Sequence, residues 1–204
     1  MSPETHLLAS WLLAAHTTDN PRDCRLVTLA GFLPDLDGLG LLVDWASPAL
    51  GFRSTQLYGT YHHYLLHGAF GGLLITAVMT SFARRRWRVA LMSLLAFHLH
   101  LLCDLVGSRG PSPSDLWPIF YLGPFKSHPM WLWTGQWRLD GWFNRYLTVA
   151  LFLWALWLAV PLGHSVLGVF SPRADAVFVA VLRKWHAALF GRGRPPPTPG
   201  VPQA

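Results

Sequence analysis

Apolar residues dominate the chain in long runs rather than in alternation. The first run extends from Leu7 to Ala15, and three uncharged stretches follow, Tyr64 to Ala83, Val89 to Cys103 and Tyr146 to Pro172. Runs of this length read as helices, since buried strands rarely exceed eight residues. The cationic cluster Arg84-Arg85-Arg86-Trp87-Arg88 between two of them predicts the turn of an antiparallel hairpin. Hydrophobic helices are expected near residues 64–83, 89–106 and 146–163, the last ending at Pro161 and about long enough to cross a bilayer core. The 89–103 stretch is shorter and holds two His, so a helix buried in protein is the competing expectation. Residues 107–145 are dense in Gly, Pro, Ser and Trp and predict a loop layer at one end of the bundle. From Arg173 to Phe190, apolar residues mix with Arg183, Lys184 and His186 at helical spacing, which suits a membrane-interface helix or a packed terminal one. The Pro/Gly-rich residues 191–204 predict a disordered basic tail. The resulting expectation is an all-α, membrane-associated helical bundle with one domain over residues 1–190.

Composition narrows the class. Hydrophobic residues make up 52% of the chain and charged residues 13%, about half the charged share of a soluble domain. An ordinary cytosolic surface is therefore disfavoured, and with 11 Trp the chain is not one that stays unfolded. The net charge is +6, and 14 of the 16 cationic residues are Arg, the geometry that suits phosphate-bearing partners. These Arg cluster at the ends of hydrophobic helices and in the tail, a placement that favours anionic membrane lipid over nucleic acid. Cys24 and Cys103 offer neither metal spacing nor a disulfide framework, and the N-terminal residues lack the positive segment of a removable signal. The 84–88 turn and residues 164–204 carry +4 each, against +2 for residues 107–145. The positive-inside rule then sets the loop layer on the opposite side of a membrane from the other two.

Candidate chemistry concentrates in the first half. His100 and Asp104 are four apart and share one helix face, whereas His98 lies about 200° around from His100 and is expected to be a satisfied core group. A hairpin turning at residues 84–88 brings residue 104 back level with His67. Neutral imidazoles and carboxylates in an apolar bundle are costly unless each finds a partner, and a divalent cation satisfies them together. Mixed His/Asp ligation suits Zn2+, with Mn2+ or Fe2+ as alternatives. The segment Gly31-Phe-Leu-Pro-Asp35-Leu-Asp37-Gly-Leu-Gly40 places two acids beside a Pro and flexible glycines; alone, either acid would serve equally as a cap or turn residue.

Thr5-His6, Pro34-Asp35-Leu-Asp37, His62-His-Tyr-Leu-Leu-His67 and His100-Leu-Leu-Cys-Asp104, followed by Gly110 and Leu116-Trp-Pro118, occur in this order. Together they resemble the inner-membrane-associated metal-dependent hydrolase family, often grouped with zinc-dependent phospholipase C and P1-type nucleases. The resemblance covers residues 5 to 120. It implies an all-helical fold, a metal cluster between helices, a multi-pass bacterial inner-membrane location and phosphoester hydrolysis. Carried over, it assigns His6, Asp35, His67, His100 and Asp104 as metal ligands, with His62 joining them and Asp37 at a further polar position. The chain departs from the pattern at His63, where the family commonly has Arg, and at Leu66-His67-Gly68, where it has Thr-His-Ser.

The expected function is hydrolysis, in which two or more divalent ions polarise a phosphoryl oxygen and activate water. Asp37 is expected to orient that water or act as base, and Arg109, Lys126 and His128 to neutralise substrate charge. The Trp-rich surroundings from Trp117 to Trp142 favour a lipid-linked or amphiphilic substrate. The alternative is a membrane scaffold or binding protein with a structural metal.

Overall fold

Three helices approach closely enough to set the site between them. The computed structural model describes residues 1–125 and 129–191. Helix α1 (Pro3–Thr17) starts with Pro at its first position and Glu4 in its first turn, both favoured where N–H groups are unpaired and the helix end is positive. α2 (Pro21–Phe32) is capped by Asn20, whose side chain accepts from Asp23 N at 2.9 Å. Pro34 then lacks the N–H that would continue the helical ladder, and the chain tightens into a 3₁₀ turn, Leu33–Leu39. α3 (Gly40–Ala49), α4 (Leu57–Tyr61), α5 (Ala69–Ser81) and α6 (Arg86–Gly107) follow. α1 packs on α2, and both pack on α6.

Gly31 lies where the three helices meet. A Cβ there would collide with the Ser10 side chain of α1 and stand 3.0 Å from Ala96 O of α6. The α5–α6 turn is tied to α2 by Asp23, whose carboxylate accepts from Arg84 N and Arg85 N at 2.9 and 3.0 Å.

The expected hairpin is present, but its first arm starts later than the apolar pattern suggests. Residues 62–68 form turns, and helix begins at Ala69. The reason is local: Leu66 N donates to the Asp37 carboxylate at 3.0 Å, while Gly68 lies against the Gly123 carbonyl with no room for a side chain. At 13 residues α5 is too short to span a bilayer core. Three other segments are long and apolar enough to cross a membrane: Pro21–Ala49, Arg86–Gly107 and Trp142–Leu162 (α7). The first of these comes from the continuity of α2, the 3₁₀ turn and α3, which the charges at its start conceal in the sequence.

Residues 108–125 and 129–141 form the loop layer, with no strand among the described residues beyond isolated bridges, Arg109 with Arg138 and Ile119 with Trp131. Its centre is the buried Gln136, which bonds both backbone groups of Trp117, donating to its O at 2.8 Å and accepting from its N at 3.0 Å. Asn144 ties the layer to the start of α7 through Gly107 O, Arg138 O and Leu139 O.

The chain divides into two compact units, Met1–Ala155 and Leu156–Ala204; the boundary falls within α7. In the second unit, α8 (Pro172–Phe190) begins with Asp175 buried, its carboxylate accepting from Ser165 N and Oγ at 2.8 and 2.6 Å. Residues 192–204, expected to be a disordered tail, lie outside the described residues.

Candidate metal centre

Four elements bring the donors to the site. α1 contributes His6, the 3₁₀ turn Asp35 and Asp37, the turn before α5 His62, His63 and His67, and α6 His100 and Asp104. His6, Asp35, His100 and Asp104 place one ligand atom each within 4.8 Å of one another, and so, as a second set, do His62, His63 and His67. These groups could hold a metal ion.

The tautomers are set by what lies behind the rings. His100 Nδ1 donates to Gly31 O at 2.8 Å, and His67 Nδ1 donates to Asp37 Oδ2 at 3.0 Å. In their neutral forms both rings therefore turn a lone pair outward at Nε2. Those two Nε2 atoms are 3.0 Å apart. Asp104 Oδ2 stands 3.0 Å from His100 Nε2 and 3.4 Å from His67 Nε2, and Asp35 Oδ1 stands 3.7 and 3.9 Å from the same atoms. With both rings neutral, four electron-pair donors face one another there, an arrangement that a proton or a divalent cation would relieve. The residues fit a cation on a further count: Asp35 Oδ2, Asp104 Oδ2 and His6 Nδ1 are buried without a hydrogen-bond partner.

Asp104 divides its work between its two oxygens. Oδ1 accepts from the Met1 amine, from His6 Nε2 at 3.0 Å and from Ser108 Oγ at 2.9 Å, which leaves Oδ2 directed at the histidines. The His6 ring stacks on His100 with centroids 3.7 Å apart. Burial holds the His6 imidazole below its ordinary pKa against the opposing pull of Asp104. At His67 burial also opposes the charged form, but hydrogen bonds to Asp104 and Asp37 outweigh it and push the pKa up to about 9. A proton there is the metal-free answer to the same surplus of acceptors.

Asp37, expected to act on water, is otherwise occupied. Its Oδ1 accepts from His62 Nδ1 at 2.8 Å and its Oδ2 from His67 Nδ1 and Leu66 N at 3.0 Å each. With both oxygens taken, it is a positioning residue that orients two imidazoles. Arg109, expected to neutralise substrate, does not line the cavity at the site; its backbone pairs with Trp137 and Leu139 in the loop layer. Lys126 and His128 lie outside the described residues. His98 points away from the donors, as its helical angle predicts, but it is exposed rather than buried and bonds Leu94 O and the Tyr121 hydroxyl.

His63 is the site residue that sequence reasoning passed over. It is buried, its Nε2 is 3.7 Å from Asp104 Oδ2, and its Nδ1 has no partner. Burial, reinforced by the charge on His67, holds its pKa well below the ordinary value. Its φ of 66° lies in the left-handed region, a strained placement for a residue with a Cβ. The signal in the sequence is its adjacency to His62, which there counts only as a departure from a motif.

A cavity of about 540 Å³ adjoins the donors, with Asp35, His62 and His63 in its wall beside Tyr58 and Trp117. Tyr58 stacks on His62 with centroids 4.6 Å apart, and burial together with the charge on Asp35 pushes its phenol up to about 12. It therefore stays protonated and able to donate. Comparison with protein-family models, curated proteins and solved structures finds no match for this chain.

Proposed function

We propose that this protein is a membrane-embedded, metal-dependent hydrolase that cleaves a phosphoester. The observation that carries this reading is the convergence of His67 Nε2, His100 Nε2, Asp35 Oδ1 and Asp104 Oδ2 within 3.0–3.9 Å of the two imidazole nitrogens, a set that a divalent ion would satisfy together. Those four residues would hold the ion, and a mixed imidazole and carboxylate set favours Zn2+. When bound, the ion supplies Lewis acidity and water activation at neutral pH. Asp37 and the Gly31 carbonyl keep the imidazole lone pairs aimed inward, and Trp117 stands edge-on to His62 and His63. In the net reaction water adds at phosphorus, the ester P–O bond breaks, and the leaving oxygen takes up a proton. The resemblance of the ordered motifs to membrane-associated hydrolases supports the same class.

A purely structural ion is the rival reading. Structural sites are closed by four protein ligands, whereas catalytic ones keep an approach for water. Here Asp35, the most distant of the four donors from the imidazole nitrogens, also stands in the cavity wall; an ion held chiefly by the other three would keep an approach for water on that side, which favours catalysis. The test is turnover of bis(p-nitrophenyl) phosphate by protein purified in detergent and titrated with Zn2+. We expect hydrolysis that rises with bound metal and falls at least about a hundredfold in His100→Ala. Stoichiometric metal with no turnover, or turnover unchanged in that variant, would instead assign a structural ion or a contaminant.

A further inference from the structure

The cavity beside the metal donors has two features that select among phosphoesters. Among the described residues, no Lys or Arg lines it, while Asp35 and Asp115 do. The Met1 amine at its edge is already paired with Asp104 and Ser108. A nucleotide, nucleic acid or polyphosphate carries several charges, and its recognition relies on cationic contacts along the backbone. This wall offers two carboxylates instead, so only a phosphoryl group placed at the metal centre itself could have its charge balanced.

The second feature is the path out. Leu39, Leu41 and Leu42 line the cavity, yet they are also 53%, 53% and 62% exposed. They form the lip of the cavity as well as its wall. Beyond them, Val43 and Trp45 of α3 are exposed too, and α3 belongs to a segment apolar and long enough to cross a membrane. The opening is therefore continuous with a surface suited to lipid rather than to water. Leu139 and Trp117 complete an apolar wall within reach of the same donors.

We infer that the substrate is an amphiphile with a single phosphoester and an aliphatic chain, which enters sideways from the membrane and lies along Leu39, Leu41 and Leu42. This rests on the hydrolase reading and adds the substrate class to it. The chain provides binding through burial, leaving the metal centre to deal with one charged group. Leu42 sets preference for the chain without touching the reacting atoms.

Zn2+-loaded full-length protein in detergent micelles would be assayed with three chromogenic diesters of equal charge: methyl, dodecyl and thymidine 5′-p-nitrophenyl phosphate. The expected kcat/KM for the dodecyl ester exceeds both others by about tenfold or more, and Leu42→Gln narrows that preference at least threefold. In parallel, a dodecyl phosphate carrying a terminal diazirine is photolysed on the protein and the adducts are mapped by mass spectrometry. Labelling confined to Leu39–Val43 and suppressed by unlabelled dodecyl phosphate is expected. Equal turnover of the three esters, a preference for the thymidine ester, or labelling spread over α7 overturns the inference while leaving the hydrolase reading intact. Absence of turnover with all three esters in metal-loaded protein overturns the hydrolase reading itself.

Discussion

At the scale of single residues, the centre depends on groups that never touch an ion. Asp37 fixes the tautomers of His62 and His67 from behind, and partners in that position typically alter metal affinity tenfold to a hundredfold. Asp37→Asn, which keeps the shape but removes the charge, is expected to weaken Zn2+ binding by about that factor in a chelator-competition titration; unchanged affinity would leave Asp37 without its positioning role. The proton on His67 gives a second consequence. Its pKa is raised from the ordinary 6.5 to about 9, so in metal-free protein its contribution to stability is complete below pH 6.5 and is lost as pH rises through 9. With EDTA present, thermal unfolding should therefore occur at lower temperature at pH 9 than at pH 6.5. Saturating Zn2+ should abolish that decline, because binding requires the neutral ring. A decline of equal size with and without Zn2+ would show that the ion does not take the proton's place.

Among the elements, the decisive contact is the meeting of α1, α2 and α6 at Gly31. Its carbonyl orients His100, and its missing side chain lets Ser10 and Ala96 close in. Gly31→Ala is expected to destabilise the protein by about 1–3 kcal/mol through overpacking and to weaken metal binding by shifting the acceptor of His100. Chemical denaturation and metal titration of the same variant check both effects, and a stable variant with native affinity would count against this packing. Helical periodicity makes the pairing of His100 with Asp104 legible, and the Arg84–Arg88 turn makes their meeting with His67 legible. The late start of α5 is not, since it depends on Leu66 N reaching Asp37, a contact 29 residues away in sequence. Nor can spacing reveal that Asp37 spends both oxygens on hydrogen bonds, or that His63 adopts a left-handed backbone to face Asp104. Charge alone does not say which loop residues line the cavity, and Arg109 is not among those that do.

For the molecule as a whole, polar donors are gathered inside a scaffold whose outer surface is unusually apolar. Tyr146, Phe152, Leu153, Trp154 and Trp157 of α7 are all exposed, an arrangement stable only if something other than water covers them. The low charge content of the sequence already implies that surface, and the same scarcity makes the buried His/Asp cluster conspicuous. Such a cluster is expensive to bury unless a cation completes it, which makes metal content the decisive property of the protein. Elemental analysis of detergent-purified protein, after removal of loosely held ions, tests this most directly. About one tightly bound divalent ion or more per chain is expected in the wild type, with near-complete loss in both Asp35→Ala and His67→Ala. Wild-type protein free of metal, or either variant retaining the full amount, would contradict that expectation.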